Sequence, residues 1–201
     1  DKLDVFDSQT FDMNPTEFYA VCTDMQSGNP VYRKLTHHNY ACNEWIRASA
    51  SMPLVSRVVH LEGLELLDGG VSDSIPLRFF EQMGYEHNLV VLTQPAGYVK
   101  RPDALLHLMK LWLRKYPAFL RTMANRPMMY NAQLAYVAAQ EAAGQALVLR
   151  PSEKLKIGHT CHDPQQMQQV YEEGRQVALN NMEAIRRFMG NRPTDWSAAT
   201  P

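Results

Sequence analysis

Leu64-Glu65-Leu66-Leu67-Asp68-Gly69-Gly70-Val71-Ser72-Asp73-Ser74-Ile75-Pro76-Leu77, continued to Gly84 and on to Leu89-Val90-Val91-Leu92-Thr93, is the stretch whose reading decides the fold. Leu64 to Leu67 reads as a short apolar strand and Asp68-Gly69-Gly70 as a tight turn. Ile75 to Met83 reads as a helix, with Pro76 near its start and Gly84 just past its end. Leu89 to Thr93 is a second all-apolar strand. Strand, turn, helix and strand in this order predict a βαβ unit, hence a parallel sheet covered by helices. Asp68 then stands at the C-terminal end of a parallel strand, where open α/β sheets gather their sites. The two glycines behind it let a backbone or a ligand approach closely. Asp-Gly is also a common turn, so the triplet alone does not separate a catalytic carboxylate from a turn former.

Working outward, Phe18 to Asp24 reads as a buried strand, Ser27-Gly28-Asn29-Pro30 as a turn and Val31 to Lys34 as a second strand. Asn43 caps a short helix through Ala48, which ends before Pro53. Arg57 to His60 is a strand joined to Leu64–Leu67 by a turn at Gly63. Residues 102–116 form an amphipathic helix, with Asp103, His107, Lys110 and Arg114 on one face and Leu105, Leu108, Met109 and Trp112 on another, broken by Pro117. A second helix runs from Met128 to Ala143, and Ala146 to Leu149 is a strand. Asp163-Pro164 is an N-cap followed by proline at the first helical position. From there Met167, Val170, Tyr171, Ala178, Met182 and Ile185 recur at helical spacing to about Met189. Residues 191–201 read as a loose tail.

The chain has 201 residues, 45% hydrophobic and 20% charged, with net charge −1. These proportions fit one globular domain, or part of one, and exclude long disorder and a strongly basic nucleic-acid binder. No apolar run approaches the ~18–20 residues of a membrane span. Near-neutrality hides a segregation: residues 1–97 carry 6 basic and 13 acidic side chains, whereas residues 98–150 carry 8 basic and 2 acidic. Lys100, Arg101, Lys110, Arg114, Lys115, Arg121 and Arg126 are interleaved with Leu105, Met109, Trp112, Phe119 and Met123. Such a segment either engages an anionic membrane at its surface or packs as core with its cations paired to the acidic first half. Three cysteines without a CxxC pair fit a reducing, cytoplasmic compartment.

Trp45-Ile46-Arg47-Ala48-Ser49-Ala50-Ser51-Met52-Pro53, the block Leu67-Asp68-Gly69-Gly70-Val71-Ser72-Asp73-Ser74-Ile75-Pro76-Leu77, the closing Gly84 and the strand from Asn88 to Thr93 together resemble the patatin-like phospholipase family, most closely its bacterial members. The family pattern is W-x-x-A-S-x-x-x-P ahead of a D-G-[GA] block. The likeness is good over residues 18–93 and looser to 190. One departure is Leu54-Val55-Ser56 after Pro53, where the family often has Phe and Pro.

The resemblance implies an α/β fold with a mainly parallel sheet covered by helices. It also implies a serine acyl hydrolase of phospholipid or other acyl-ester lipids that needs no cofactor. Its Ser–Asp dyad makes Asp68 the base, with Gly69 and Gly70 as the supporting turn. A carboxylate within reach of a serine Oγ can take its proton as the acyl carbonyl is attacked. The family's G-x-S-x-G elbow and glycine-rich oxyanion loop occur nowhere in these residues. The expectation is therefore that residues 1–190 are the C-terminal portion of one hydrolase domain. The N-terminal part, with nucleophile and oxyanion loop, would lie outside this chain.

Two alternatives stand beside it. One is a Ser–His–Asp esterase in which Asp68 orients His159 or His162. The other is a non-catalytic module that keeps the fold and binds lipid or a partner through its basic segment. His159-Thr160-Cys161-His162-Asp163 has metal-like spacing, but no second cluster completes a site, and a loop ahead of a capped helix is the expected reading. Ser49 and Ser51 are expected to be caps and turn formers, and the 11 methionines, Met128-Met129 included, core filler.

Overall fold

A computed structural model describes residues 6–102, 106–158 and 161–190. The loose tail expected at 191–201 lies outside the described residues, as do Asp103, Ala104, Leu105, His159 and Thr160. The elements in order are α1 (Ser8–Met13), β1 (Phe18–Asp24), β2 (Pro30–Leu35), α2 (Tyr40–Ser49), β3 (Val59–Leu61), β4 (Leu64–Asp68), a 3₁₀ turn (Gly69–Val71), α3 (Leu77–Gln82), β5 (Asn88–Val91), α4 (Leu106–Trp112), α5 (Pro117–Ala142), β6 (Ala146–Leu149), α6 (Pro164–Asn180) and α7 (Met182–Phe188). Two compact units result. Residues through Ile75 with Lys100–Gln133 form the first, and Pro76–Val99 with the residues from Leu134 onward form the second.

The first unit holds a four-stranded sheet in the order β2-β1-β4-β3. Every pairing in it is antiparallel: Phe18 to Thr23 against Leu35 to Pro30, Cys22 to Asp24 against Asp68 to Leu66, and Val59 to Leu61 against Leu66 to Leu64. This corrects the parallel placement of the Asp68 strand. Glu62 (φ 51°) and Gly63 (φ 79°) form a two-residue turn with both dihedrals positive. That is the hairpin turn whose twist matches its flanking strands, so β4 must run back along β3. The second unit holds a two-stranded sheet in which β5 pairs β6 in parallel, Asn88 opposite Ala146 through Val91 opposite Leu149. Parallel pairing is therefore present between β5 and β6, not between β4 and β5.

The apolar run of β4 has its own reason. Successive strand residues point to opposite faces. Leu66 enters a core with Ala20, Cys22, Leu35, Cys42, Trp45, Ala48 and Val59. Leu67 enters another with Met25, Val71, Met109, Tyr116, Phe119 and Met123. The antiparallel sheet is covered on both sides, by α2 on one and by α4 and α5 on the other. β5 differs: Val90 is buried, while Leu89 and Val91 are 39% and 69% exposed.

The helices adjust several boundaries. α2 is capped by Asn39, whose side chain accepts from Cys42 N, rather than by Asn43. α5 begins at Pro117 and continues through Pro127 to Ala142 as one helix. Pro127 removes one backbone bond. Phe119 and Met123 before it and Val137 after it are buried and hold the helix on course. Thr122 Oγ1 donates to the carbonyl of Gly28 at 2.9 Å, which locks the β1–β2 turn onto α5. Gly28 has φ +73°, and a Cβ there would lie 2.5 Å from that hydroxyl. Asp163 caps α6 as expected, accepting from Gln165 N, but the helix stops at Asn181 and α7 restarts from it. Met128 is 70% exposed and so is not core. Among the described residues no helix is long and apolar enough to cross a membrane.

Candidate active site

Asp68 is the last residue of β4, and its carboxylate Oδ1 accepts from Gly70 N at 2.7 Å. The side chain is half-buried. Its own backbone is held at both ends: Asp68 N donates to Ser51 O at 2.9 Å, and Thr23 Oγ1 donates to Asp68 O at 2.8 Å. Thr23 is fully buried, and its hydroxyl also meets Ser72 Oγ at 2.7 Å. Among the described residues the second carboxylate oxygen, Oδ2, has no hydrogen-bond partner. One oxygen thus orients the group against the turn.

Gly69 is required by packing rather than by dihedral angle. A Cβ at this position would lie 2.2 Å from the carbonyl oxygen of Val21 in β1. Ser49 Oγ donates to the same carbonyl at 2.7 Å. Ser51 Oγ donates to Arg47 O, also at 2.7 Å. Ser49 therefore ties the end of α2 to β1, Ser51 caps a carbonyl of the last turn of α2, and the Ser51–Asp68 backbone bond brings the Trp45–Pro53 segment to the Asp68 turn. Leu54, just past Pro53, has a left-handed φ of 66° and is stabilised by packing against the second core.

A layer behind the turn had no local signal in the sequence. Gly70 O accepts from Ser74 Oγ and from Arg126 Nε, each at 2.7 Å. Gln133 Oε1 accepts from Ser74 N at 3.2 Å and from Ile75 N at 3.1 Å, while its Nε2 donates to Asp73 Oδ1. Tyr32 OH donates to the other Asp73 oxygen. Tyr32, Asp73, Arg126 and Gln133 lie on different elements, so no spacing joins them. Burial, and then the Asp73 carboxylate, push the Tyr32 phenol well above its ordinary value. Burial, and then Asp68, push the Cys22 thiol up to about 12, and the residue is fully buried in the first core. Beside the turn a concavity of about 190 Å³ is lined by Lys100, Arg101, Met123, Arg126 and Pro127.

His162 is exposed, in the second unit, and His159 lies outside the described residues. Among the described residues no histidine is hydrogen-bonded to Asp68, and no group of three His, Cys, Asp or Glu side chains could hold a metal ion. Of the interleaved apolar residues in the basic segment, Met109, Phe119 and Met123 are buried core, whereas Trp112 is exposed and Leu105 is outside the described residues.

Comparison with known proteins divides the chain. Residues 116–190 match a domain of unknown function, DUF6363. The chain is 27% identical over 141 residues to the uncharacterized protein YjjU of Escherichia coli strain K12, an alignment that takes in 70% of this chain and 36% of that protein. The chain thus spans about a third of the length of that relative. Residues 10–80 match the patatin-like phospholipase family. That match supports a family of lipid hydrolases for the part of the chain that carries Asp68, Gly69 and Gly70.

Proposed function

We propose that this chain is the C-terminal portion of a patatin-like serine acyl hydrolase domain acting on acyl-ester lipid, with Asp68 as the base of a Ser–Asp dyad. The observation that carries the reading is the state of the Asp68 carboxylate. It is half-buried at a strand end, oriented through Oδ1 by Gly70 N, and open at Oδ2 among the described residues. A serine hydroxyl brought to Oδ2 would give up its proton there as its oxygen attacks the ester carbonyl. The same carboxylic acid would then return the proton to the leaving alkoxide. The nucleophile and oxyanion donors belong, on this reading, to polypeptide outside residues 1–201. The concavity lined by Lys100, Arg101 and Arg126 shares Arg126 with the Gly70 carbonyl, and its cations suit an anionic, phosphate-bearing ester over a neutral one.

The test is Asp68→Asn in the full-length protein, assayed for fatty-acid release. The substitution keeps shape and the amide acceptor but removes the base, so turnover should fall by about 10²–10⁴-fold with little change in stability. His159→Ala and His162→Ala should leave turnover nearly intact. Unchanged turnover in Asp68→Asn, or a histidine variant as impaired as Asp68→Asn, would overturn the dyad.

A further inference from the structure

The segment at residues 116–190 that matches DUF6363 opens on α5, and α5 reaches the Asp68 turn. Among the described residues the Asp68 carboxylate is oriented by one bond, from Gly70 N to Oδ1 at 2.7 Å. Gly70 has no side chain to hold it, and glycine is the least constrained residue in its backbone. What fixes it is on its carbonyl, which accepts from Ser74 Oγ and from Arg126 Nε, each at 2.7 Å. Ser74 belongs to the same loop and moves with it. Arg126 comes from α5, 56 residues further along the chain, where Phe119 and Met123 are buried in the second core. Gln133, two turns on and on the same face of α5, fixes Ser74 itself by accepting from its backbone N at 3.2 Å. Both donors on the Gly70 carbonyl are thus referred to one helix. A Cβ built on Gly70 would lie 3.0 Å from Asp68 Oδ1 and 3.6 Å from Arg126 Nη2, so carboxylate and guanidinium stand on the same side of the turn.

We infer that Arg126 is a positioning residue for the Asp68 base. Its Nε–H holds the Gly70 carbonyl, Gly70 N holds Oδ1, and Oδ2 is thereby kept facing the hydroxyl that the dyad requires. The inference rests on the dyad reading of Asp68. The segment that opens on α5 then contributes to the hydrolase site rather than standing beside it as a separate module. Proton transfer needs donor and acceptor aligned within hydrogen-bond reach, and a misplacement of about 1 Å can cost about 100-fold in rate. The hydrogen bond, not the charge, is the working part of Arg126, because Nε is the atom that meets the Gly70 carbonyl. Arg126 therefore acts through the backbone of the turn, and its effect extends to an ester that carries no phosphate.

The experiment compares two neutral variants of the full-length protein, Arg126→Gln and Arg126→Met, on p-nitrophenyl butyrate, an ester without phosphate. Glutamine places an N–H donor as many bonds from the backbone as Nε is, and methionine places a methyl group there. Arg126→Met should lower kcat by about 10- to 100-fold with KM unchanged, and Arg126→Gln should keep kcat within about threefold of the parent. Thr122→Val removes a different α5 bond, to the Gly28 carbonyl, and controls for a general loosening of the helix. It should lose a similar amount of stability in urea and keep the parental kcat. Parental kcat in Arg126→Met, or a rise in KM in place of the fall in kcat, would overturn the proposal. Equal losses in the glutamine and methionine variants would overturn it by assigning the role to the charge. A Thr122→Val variant as impaired as Arg126→Met would overturn it by making the effect one of general stability. Should Arg126→Met not fold, as read by circular dichroism, Ser74→Ala takes its place by removing the other donor to the Gly70 carbonyl, and parental kcat there overturns the proposal. Asp68→Asn is assayed alongside. Activity lost in Asp68→Asn but parental in Arg126→Met strikes this inference alone. No turnover of the ester by the parent, or activity kept in Asp68→Asn, takes away the dyad reading and this inference with it.

Discussion

At the scale of single residues, the Asp68 turn is fixed by the backbone of β1 rather than by side-chain packing. Gly69 has a carbonyl where its Cβ would be. Gly69→Ala should therefore force β1 and the turn apart and cost roughly 1–3 kcal/mol or more, as overpacking does. Gly158→Ala is the matched control, because among the described residues a Cβ there meets nothing within 4 Å and its φ is not positive. It should stay within about 0.5 kcal/mol of the parent. Urea unfolding of both variants checks this, and an alanine at 69 that costs no more than one at 158 would remove the steric account. Asp68 itself was legible in the sequence because the D-G-G triplet is local. The reason for its first glycine was not, since Val21 lies 48 residues away in the chain and nothing near Gly69 announces it.

At the scale of elements, α5 braces the turn from behind through Arg126 and Gln133. Gln133 satisfies two backbone donors and one carboxylate oxygen at once. Gln133→Glu keeps the acceptor for Ser74 N and Ile75 N but sets a carboxylate against Asp73. It should cost roughly 1–3 kcal/mol at neutral pH. Two carboxylates in contact raise the folded-state pKa of the pair above its unfolded value. The folded variant then binds more protons than the unfolded chain in that window, so its deficit should shrink as pH falls toward about 4. Urea midpoints of variant and parent, compared at neutral and mildly acidic pH, test this, and a deficit that does not narrow on acidification would exclude the contact.

The elements themselves were unevenly legible. Phe18–Asp24 and Ala146–Leu149 have the expected bounds, because each is a short apolar run between turn residues. The helix expected over 102–116 is described as Leu106–Trp112, and its apolar residues divide between core and surface. The helix expected from Met128 starts at Pro117, because buried anchors on both sides of Pro127 outweigh one missing hydrogen bond. Strand partners were the least legible. β4 is followed by a helix and a strand, as a βαβ unit would be, yet the hairpin turn at Glu62-Gly63 decides its direction.

At the scale of the whole molecule, the two sheets should differ in protection. β1 is paired on both sides, by β2 and β4, and its Cys22 and Thr23 are fully buried. β5 has β6 on one side and exposes Leu89 and Val91. Two strands alone are marginally stable, so the amides of Leu89 and Val91 should exchange at least about tenfold faster than those of Cys22 and Thr23. Hydrogen exchange followed by mass spectrometry checks the order, and equal protection would mean that β5 is as well supported as β1. The bond from Thr122 to Gly28 carries a consequence in time as well as in space. Its partners are 94 residues apart. Synthesis at about 5–20 residues per second separates them by on the order of ten seconds. A β1–β2 hairpin forms in microseconds. The turn at Gly28 is therefore made early in the life of the nascent chain, and then waits on the ribosome for the helix that clasps it.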